Sequence, residues 1–203
     1  MIHTSQDGKF SIGFNAKCGC TFIGKWIMSQ HKGSLVLNEN EVYGRTNAVS
    51  GKPSDNAYKV GVFRNPTDRI VSAYYGKKAD PRNPFYEEGL TFSSFVDRET
   101  RRVMSGERID HHWSPQHTQL LNCNVIFCLN EVEEAMKHLE QKFNLTQFSN
   151  QITDMAIKDH KIREKSGLVW PKVTEEDNEK IREAYRQDFI LSKYVSQKNN
   201  KHF

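Results

Sequence analysis

Three times in this chain a short run of β-branched and aromatic residues leads, through a few loop residues, into a run with apolar residues at helical spacing. The first pair is Phe10–Phe14 followed by Phe22–Gln30, and the second is Tyr58–Phe63 followed by a helix through Tyr75. In the second pair Asn65 is placed to cap and Pro66 suits the first helical position. The third pair is Asn124–Cys128, then a helix from about Glu131 to Phe143, with Val132, Ala135, Met136, Leu139 and Phe143 on one face. Strands that alternate with helices predict an α/β fold with a central parallel sheet flanked by helices. Ligands of such sheets sit at the carboxyl ends of the strands. Thr91 and Thr174 are expected to cap two further helices, the second with the stripe Ile181, Ala184, Tyr185 and Phe189. The polar stretches 31–57 and 76–90 read as loops over the site. With no repeat and no linker, residues 1–203 read as one domain, with a core of about 9–194 and a frayed tail at 197–203.

The loop between the first strand and helix reads Lys17-Cys18-Gly19-Cys20-Thr21. A helix start offers unpaired N–H groups and the positive end of a dipole, so strand, glycine-bearing loop and helix together suit an anion. Gly19 permits close backbone approach, Lys17 adds a charge and Thr21 a hydroxyl. The common nucleotide-phosphate loop carries its lysine after the second glycine. Here the lysine stands two residues before Gly19. A tight turn with a solvated lysine is the plainer reading of the loop taken alone.

The formal net charge of +4 fits an anionic ligand, with no long basic run of the kind that wraps nucleic acid. No apolar run approaches the roughly 18 residues that span a membrane, and the first residues carry no secretory pattern. The four cysteines Cys18, Cys20, Cys123 and Cys128 are too few for a disulfide scaffold and lack zinc-ribbon spacing. A reduced cytoplasm, no membrane anchor and no metal are the expectations.

A second anion-binding stretch follows the second strand: Arg64-Asn65-Pro66-Thr67-Asp68-Arg69-Ile70-Val71-Ser72-Ala73-Tyr74. Ser72 falls about two helical turns beyond Arg64, roughly 10 Å along a helix axis. Guanidinium is a natural partner for a phosphate dianion. The early lysine-glycine-threonine loop followed by R-x-P-x-x-R-x-x-S-x-Y resembles the sulfotransferases that use 3′-phosphoadenosine 5′-phosphosulfate. Asp110-His111-His112-Trp113-Ser114-Pro115-Gln116 resembles the His-Trp-x-Pro-Gln stretch of the carbohydrate branch that includes the HNK-1 type. Ile181–Phe189 resembles that branch's closing helix, I-x-x-x-Y-x-x-D-F. The likeness runs from about residue 10 to 194. It departs from the branch in having Ala16 where a proline is usual, and in lacking the amino-terminal anchor and much of the acceptor-binding length.

The resemblance implies a P-loop-like sulfotransferase fold and a donor site. Lys17, Cys18, Gly19, Cys20, Thr21 and Phe22 would hold the 5′-phosphosulfate, and Arg64 and Ser72 the 3′-phosphate. A late segment, Lys165-Ser166-Gly167, would close over the nucleotide through Lys165 and Gly167. Charge builds on the departing 5′-phosphate, so Lys17 is expected to stabilise it. His112 is the expected base for an acceptor hydroxyl or amine, with His111, His31, Glu39 and Glu41 as rivals. Trp113, Phe85 and Tyr86 line an acceptor pocket or pack in the core. The acceptor itself is a carbohydrate or small metabolite. The competing readings are a magnesium-dependent nucleotide kinase or hydrolase, and a module that binds phosphoadenosine nucleotides without chemistry.

Overall fold

The computed structural model describes residues 1–36, 38, 42, 49–52, 54–78, 81, 83–153 and 171–199. The chain forms two compact units. The first is built on Met1–Phe14, Gly19–Phe63 and a stretch beginning at Gln119. The second is built on Asn15–Cys18, Arg64–Thr118 and the C-terminal stretch.

The first unit holds a four-stranded sheet in the order β1-β2-β3-β4, with β1 at Ile2–Thr4, β2 at Phe10–Phe14, β3 at Tyr58–Phe63 and β4 at Val125–Cys128. β2, β3 and β4 run parallel, with Phe14 opposite Val62 and Phe63 opposite Cys128. The predicted parallel core is therefore present. β1 adds an antiparallel edge, with Ile2 opposite Gly13. Its three residues are too short a run to show alternation, which is why the sequence pattern does not expose it. α1 (Cys20–Lys32) follows β2, beginning two residues before the expected start. After β4 a single 3₁₀ turn, Leu129–Glu131, leads into α5 (Val132–Phe143). Trp26 on α1 and Glu140 on α5 fix these helices to each other. The Trp26 indole N–H donates to Glu140 at 2.8 Å. The same carboxylate accepts from the backbone N–H groups of Phe148 and Ser149 and from the Ser149 hydroxyl, so its buried charge is well compensated.

The second unit is helical. α2 (Pro66–Lys77) starts as expected, with Pro66 in its first turn and the Asn65 side chain accepting from the Asp68 N–H. α3 (Phe92–Met104) is capped by Thr91, which accepts from the Ser94 N–H at 3.2 Å. A helical turn, α4 (His117–Leu120), lies where the chain returns to the first unit. Thr174 caps α6 (Glu175–Ala184) in a reciprocal capping box with Asp177. The core consists of Ile70, Val71 and Ala73 from α2, Phe92, Phe95 and Val96 from α3, Trp113, and Ile181 and Tyr185.

The expected closing helix is two helices. α6 ends at Ala184 and α7 (Arg186–Asn199) begins two residues later. The break falls at Tyr185, which is 1% exposed and whose hydroxyl donates to the Trp113 carbonyl. An anchored, buried tyrosine fixes one point on the chain, and the backbone turns there. Residues 197–199 of the expected frayed tail are helical, and 200–203 lie outside the described residues. No described helix is long and apolar enough to cross a membrane.

Candidate active site

The loop after β2 bends sharply. Lys17 has φ 70° and Gly19 has φ 79°, both in the left-handed region. Left-handed positions of this kind turn successive N–H groups toward one side, which favours an anion. Gly19 needs to be glycine twice over: its φ is positive, and a Cβ there would come within 3.0 Å of Leu129. It also stands at the N-cap of α1, where no side chain caps the helix and no acid occupies the first turn. α2, α3 and α6, by contrast, are all capped by a side chain. Cys20, Thr21 and Phe22 form the first turn of α1.

Lys17 is a lysine in a conformation that costs a non-glycine residue about 1–2 kcal/mol. Its surroundings hold it there. The Arg64 guanidinium donates to the Lys17 carbonyl at 2.9 Å. Arg69, fully buried, donates through Nε to the Ala16 carbonyl at 3.1 Å. A hydrogen bond from a charged donor contributes about 1.5–3 kcal/mol, enough to offset the strain. Burial lowers the Arg64 pKa, against the opposing influence of Cys18 and Asp68, and Arg69 adds to the fall. A guanidinium still stays charged in this range.

Gln116, also fully buried, ties this loop to the start of α2. Its side-chain oxygen accepts from the Arg64 N–H at 3.1 Å and from the Cys18 thiol at 3.1 Å. Its side-chain amide donates to the Arg64 carbonyl at 2.8 Å. Asp188 holds Gln116 in turn: the buried carboxylate accepts the backbone N–H groups of Gln116 and His117, and meets His117 Nδ1 at 2.8 Å. Gln116 of the Trp-Ser-Pro-Gln stretch and Asp188 of the Tyr-x-x-Asp stretch thus frame Arg64. Arg69, Gln116 and Asp188 received no role from sequence reasoning. Each stands at a fixed position of a motif the resemblance quotes, which was the available signal.

Ser72 lies half-buried on α2, and its hydroxyl makes no hydrogen bond to a described residue. His112 stacks close to His111, with ring centroids 4.0 Å apart, and its Nδ1 lies 2.5 Å from an Asp110 carboxylate oxygen. With Nδ1 committed to Asp110, Nε2 is the basic nitrogen. Burial lowers the His112 pKa, the Asp110 hydrogen bond opposes that fall, and the charges of His111 and Lys77 add to it. Burial works to raise the Asp110 pKa, but the His112 contacts outweigh it and the net shift is downward. The ligand-type atoms of Asp110, His111 and His112 lie within 4.8 Å of one another. Asp110 bonds His112 and also lies 3.4 Å from His111 Nδ1.

A cavity of about 330 Å³ opens beside Asp110, lined among others by Lys77, Lys78, Phe85, Arg98 and Trp113. Of the two expectations for Trp113, packing in the core is met. It packs in the core, its indole N–H donates to Glu99 at 2.8 Å, and it also walls this cavity. Phe85 lines the cavity too, while Tyr86 is not among its lining residues.

The rival bases separate by position. His111 is 63% exposed at its side chain and gives its carbonyl to Arg69. His31 lies in the last turn of α1 in the first unit, hydrogen-bonded to Gln6 at 2.8 Å. Glu39, Glu41, Lys165 and Gly167 lie outside the described residues. None of the four cysteines forms a disulfide with a described residue. Burial pushes the Cys123 thiol up to about 11 and raises that of Cys128. A magnesium-using site needs an acid at a strand end. Glu131, beside the end of β4, is instead folded back onto the Cys128 N–H at 2.9 Å.

The first unit is thus a mainly parallel α/β sheet whose helix after β2 starts without a side-chain cap, and the second unit opens with a helix that follows Arg64. The chain belongs to the Sulfotransferase family, whose family model matches residues 4–195. The match includes residues of both compact units. No curated protein matches the chain closely enough to add a substrate to that assignment.

Proposed function

We propose that this chain is a single-domain sulfotransferase that takes the sulfuryl group of 3′-phosphoadenosine 5′-phosphosulfate and passes it to an acceptor hydroxyl or amine, of a carbohydrate or small metabolite, in the cytoplasm. What supports the donor reading is that two cationic residues from separate stretches of chain, one after β2 and one after β3, are joined by a hydrogen bond. Lys17, in its left-handed turn, and Arg64, donating to the Lys17 carbonyl, are adjacent yet led by different strands. A ligand with two separated anionic ends satisfies both clamps; a single phosphate needs only one.

The donor, when bound, supplies an activated sulfur with a good leaving group. The rest falls to the protein. The backbone N–H groups at the start of α1 and the Lys17 ammonium stabilise charge on the 5′-phosphate side. Arg64 and the Ser72 hydroxyl hold the 3′-phosphate, and Lys165 and Gly167 complete that end. His112 Nε2 accepts the acceptor's proton while Asp110 fixes the ring through Nδ1. The sulfuryl group carries little charge, so the step asks for no metal. The cavity beside Asp110 is the acceptor site in this reading, with Phe85 and Trp113 as aromatic walls; His112 is not among its lining residues and stands beside it through its bond to Asp110.

Calorimetric titration tests the donor assignment. Adenosine 3′,5′-bisphosphate is expected to bind about ten- to a hundredfold more tightly than adenosine 5′-monophosphate, with or without magnesium. Arg64→Ala is expected to erase that preference. Equal affinity for the two nucleotides in the unaltered protein contradicts the two-clamp reading and favours an ordinary nucleotide site.

A further inference from the structure

We infer that Gly76 is a positioning residue for Lys17: the missing side chain at Gly76 is the seat in which the Lys17 ammonium rests. A Cβ built on Gly76 would lie 2.6 Å from Lys17 Nζ and 3.7 Å from Cε. The first distance is inside van der Waals contact, so the ammonium occupies space that any other residue at this position would fill.

The seat is set from both sides. On the lysine side, the backbone is fixed in its left-handed turn by Arg64 on the Lys17 carbonyl and by Arg69 on the Ala16 carbonyl. The direction in which the side chain leaves the loop is therefore fixed as well. On the helix side, Gly76 lies in the last turn of α2, four residues beyond Ser72 and so on the same face. The last turn of a helix carries partial negative charge, which suits an ammonium. Helix propensity gives no reason for glycine here, because alanine is the better helix former by about 1 kcal/mol. The close approach of Lys17 does.

The consequence for catalysis rests on the sulfotransferase reading above, in which Lys17 stabilises the departing phosphate. Gly76 then sets where along the Ser72 face of α2 that charge stands. A one-methyl addition moves the charge without removing it.

The test uses Gly76→Ala and Gly76→Ser in the full chain, with three readouts. Thermal midpoint is expected to be unchanged or higher in Gly76→Ala, since the helix gains a better former. The rate at which an amine-acetylating reagent modifies Lys17, read by peptide mass spectrometry against the exposed Lys9, is expected to rise in both variants. Turnover with sulfate donor is expected to fall about ten- to a hundredfold, with a smaller change in donor KM, as a misplaced catalytic group does. An unchanged Lys17 modification rate overturns the seat, whatever the enzyme's activity. So does full turnover in both variants of an enzyme whose unaltered form transfers sulfate. If the modification rate rises in both variants while the unaltered protein transfers no sulfate, the seat stands and the sulfotransferase reading falls.

Discussion

Replacing Lys17 with alanine is expected to lower kcat for sulfuryl transfer about a hundred- to a thousandfold, the loss typical of removing one preorganised charge stabiliser. Donor KM should change far less, because on the proposed reading Arg64, Ser72 and the α1 N–H groups would still hold the donor. The substitution leaves the turn itself alone. Alanine carries the same left-handed strain as lysine, and the Arg64 and Arg69 hydrogen bonds go to backbone carbonyls that alanine keeps. Lys17→Gly relieves the strain but also lacks the charge, so it should be at least as stable as the parent and as inactive as the alanine variant. Steady-state kinetics on the pair separates charge from conformation. Near-normal kcat in Lys17→Ala means that the lysine binds without acting on the leaving group. Recovery in Lys17→Gly means that strain, not charge, mattered.

His112→Ala should cost about a hundred- to ten-thousandfold in turnover, the range for losing a positioned general base. The pH profile identifies the cause. The neutral imidazole is the working form, so activity falls as pH drops through the His112 pKa and the ring gains a proton. Burial sets that pKa below the ordinary histidine value, with the Asp110 hydrogen bond pulling the other way. The acid limb therefore lies below the ordinary range, and turnover is flat through neutral pH. Residual activity in His112→Ala should lack that limb. A variant that keeps both its rate and the limb removes His112 from the mechanism and turns attention to its rivals.

Much of the fold was legible because its signals are local. β2 and β3 have their expected bounds, and Asn65, Thr91 and Thr174 cap the helices they were expected to cap. Strand composition and helix capping depend on neighbours within a few residues, so a sequence displays them directly. Two things were hidden for the opposite reason. β1 exists only because β2 offers it an edge to pair with. The break falls at Tyr185, whose hydroxyl donates to the carbonyl of Trp113, a contact distant in sequence.

The site divides in the same way. Lys17, Gly19 and Arg64 were readable as strand-end residues of an anion-binding pattern. The frame that orients them was not, since Gln116 and Asp188 reach Arg64 and Cys18 through contacts that no spacing announces. The left-handed turn at Lys17 was equally invisible, because nothing about a lysine suggests it. That turn gives the unusual lysine position, two residues before the glycine, a physical account. The side chain runs to Gly76 in the last turn of α2.

Sulfuryl transfer is tested most directly by intact mass measurement of acceptors. The unaltered protein is incubated with 3′-phosphoadenosine 5′-phosphosulfate carrying labelled sulfate, together with a library of hydroxyl- and amine-bearing carbohydrates and metabolites. The account predicts at least one acceptor heavier by a labelled sulfuryl group, with adenosine 3′,5′-bisphosphate formed in equal amount and the product absent with Lys17→Ala. Tight binding of the bisphosphate with no acceptor modified, and no donor consumed, would contradict it and leave a binding module in its place.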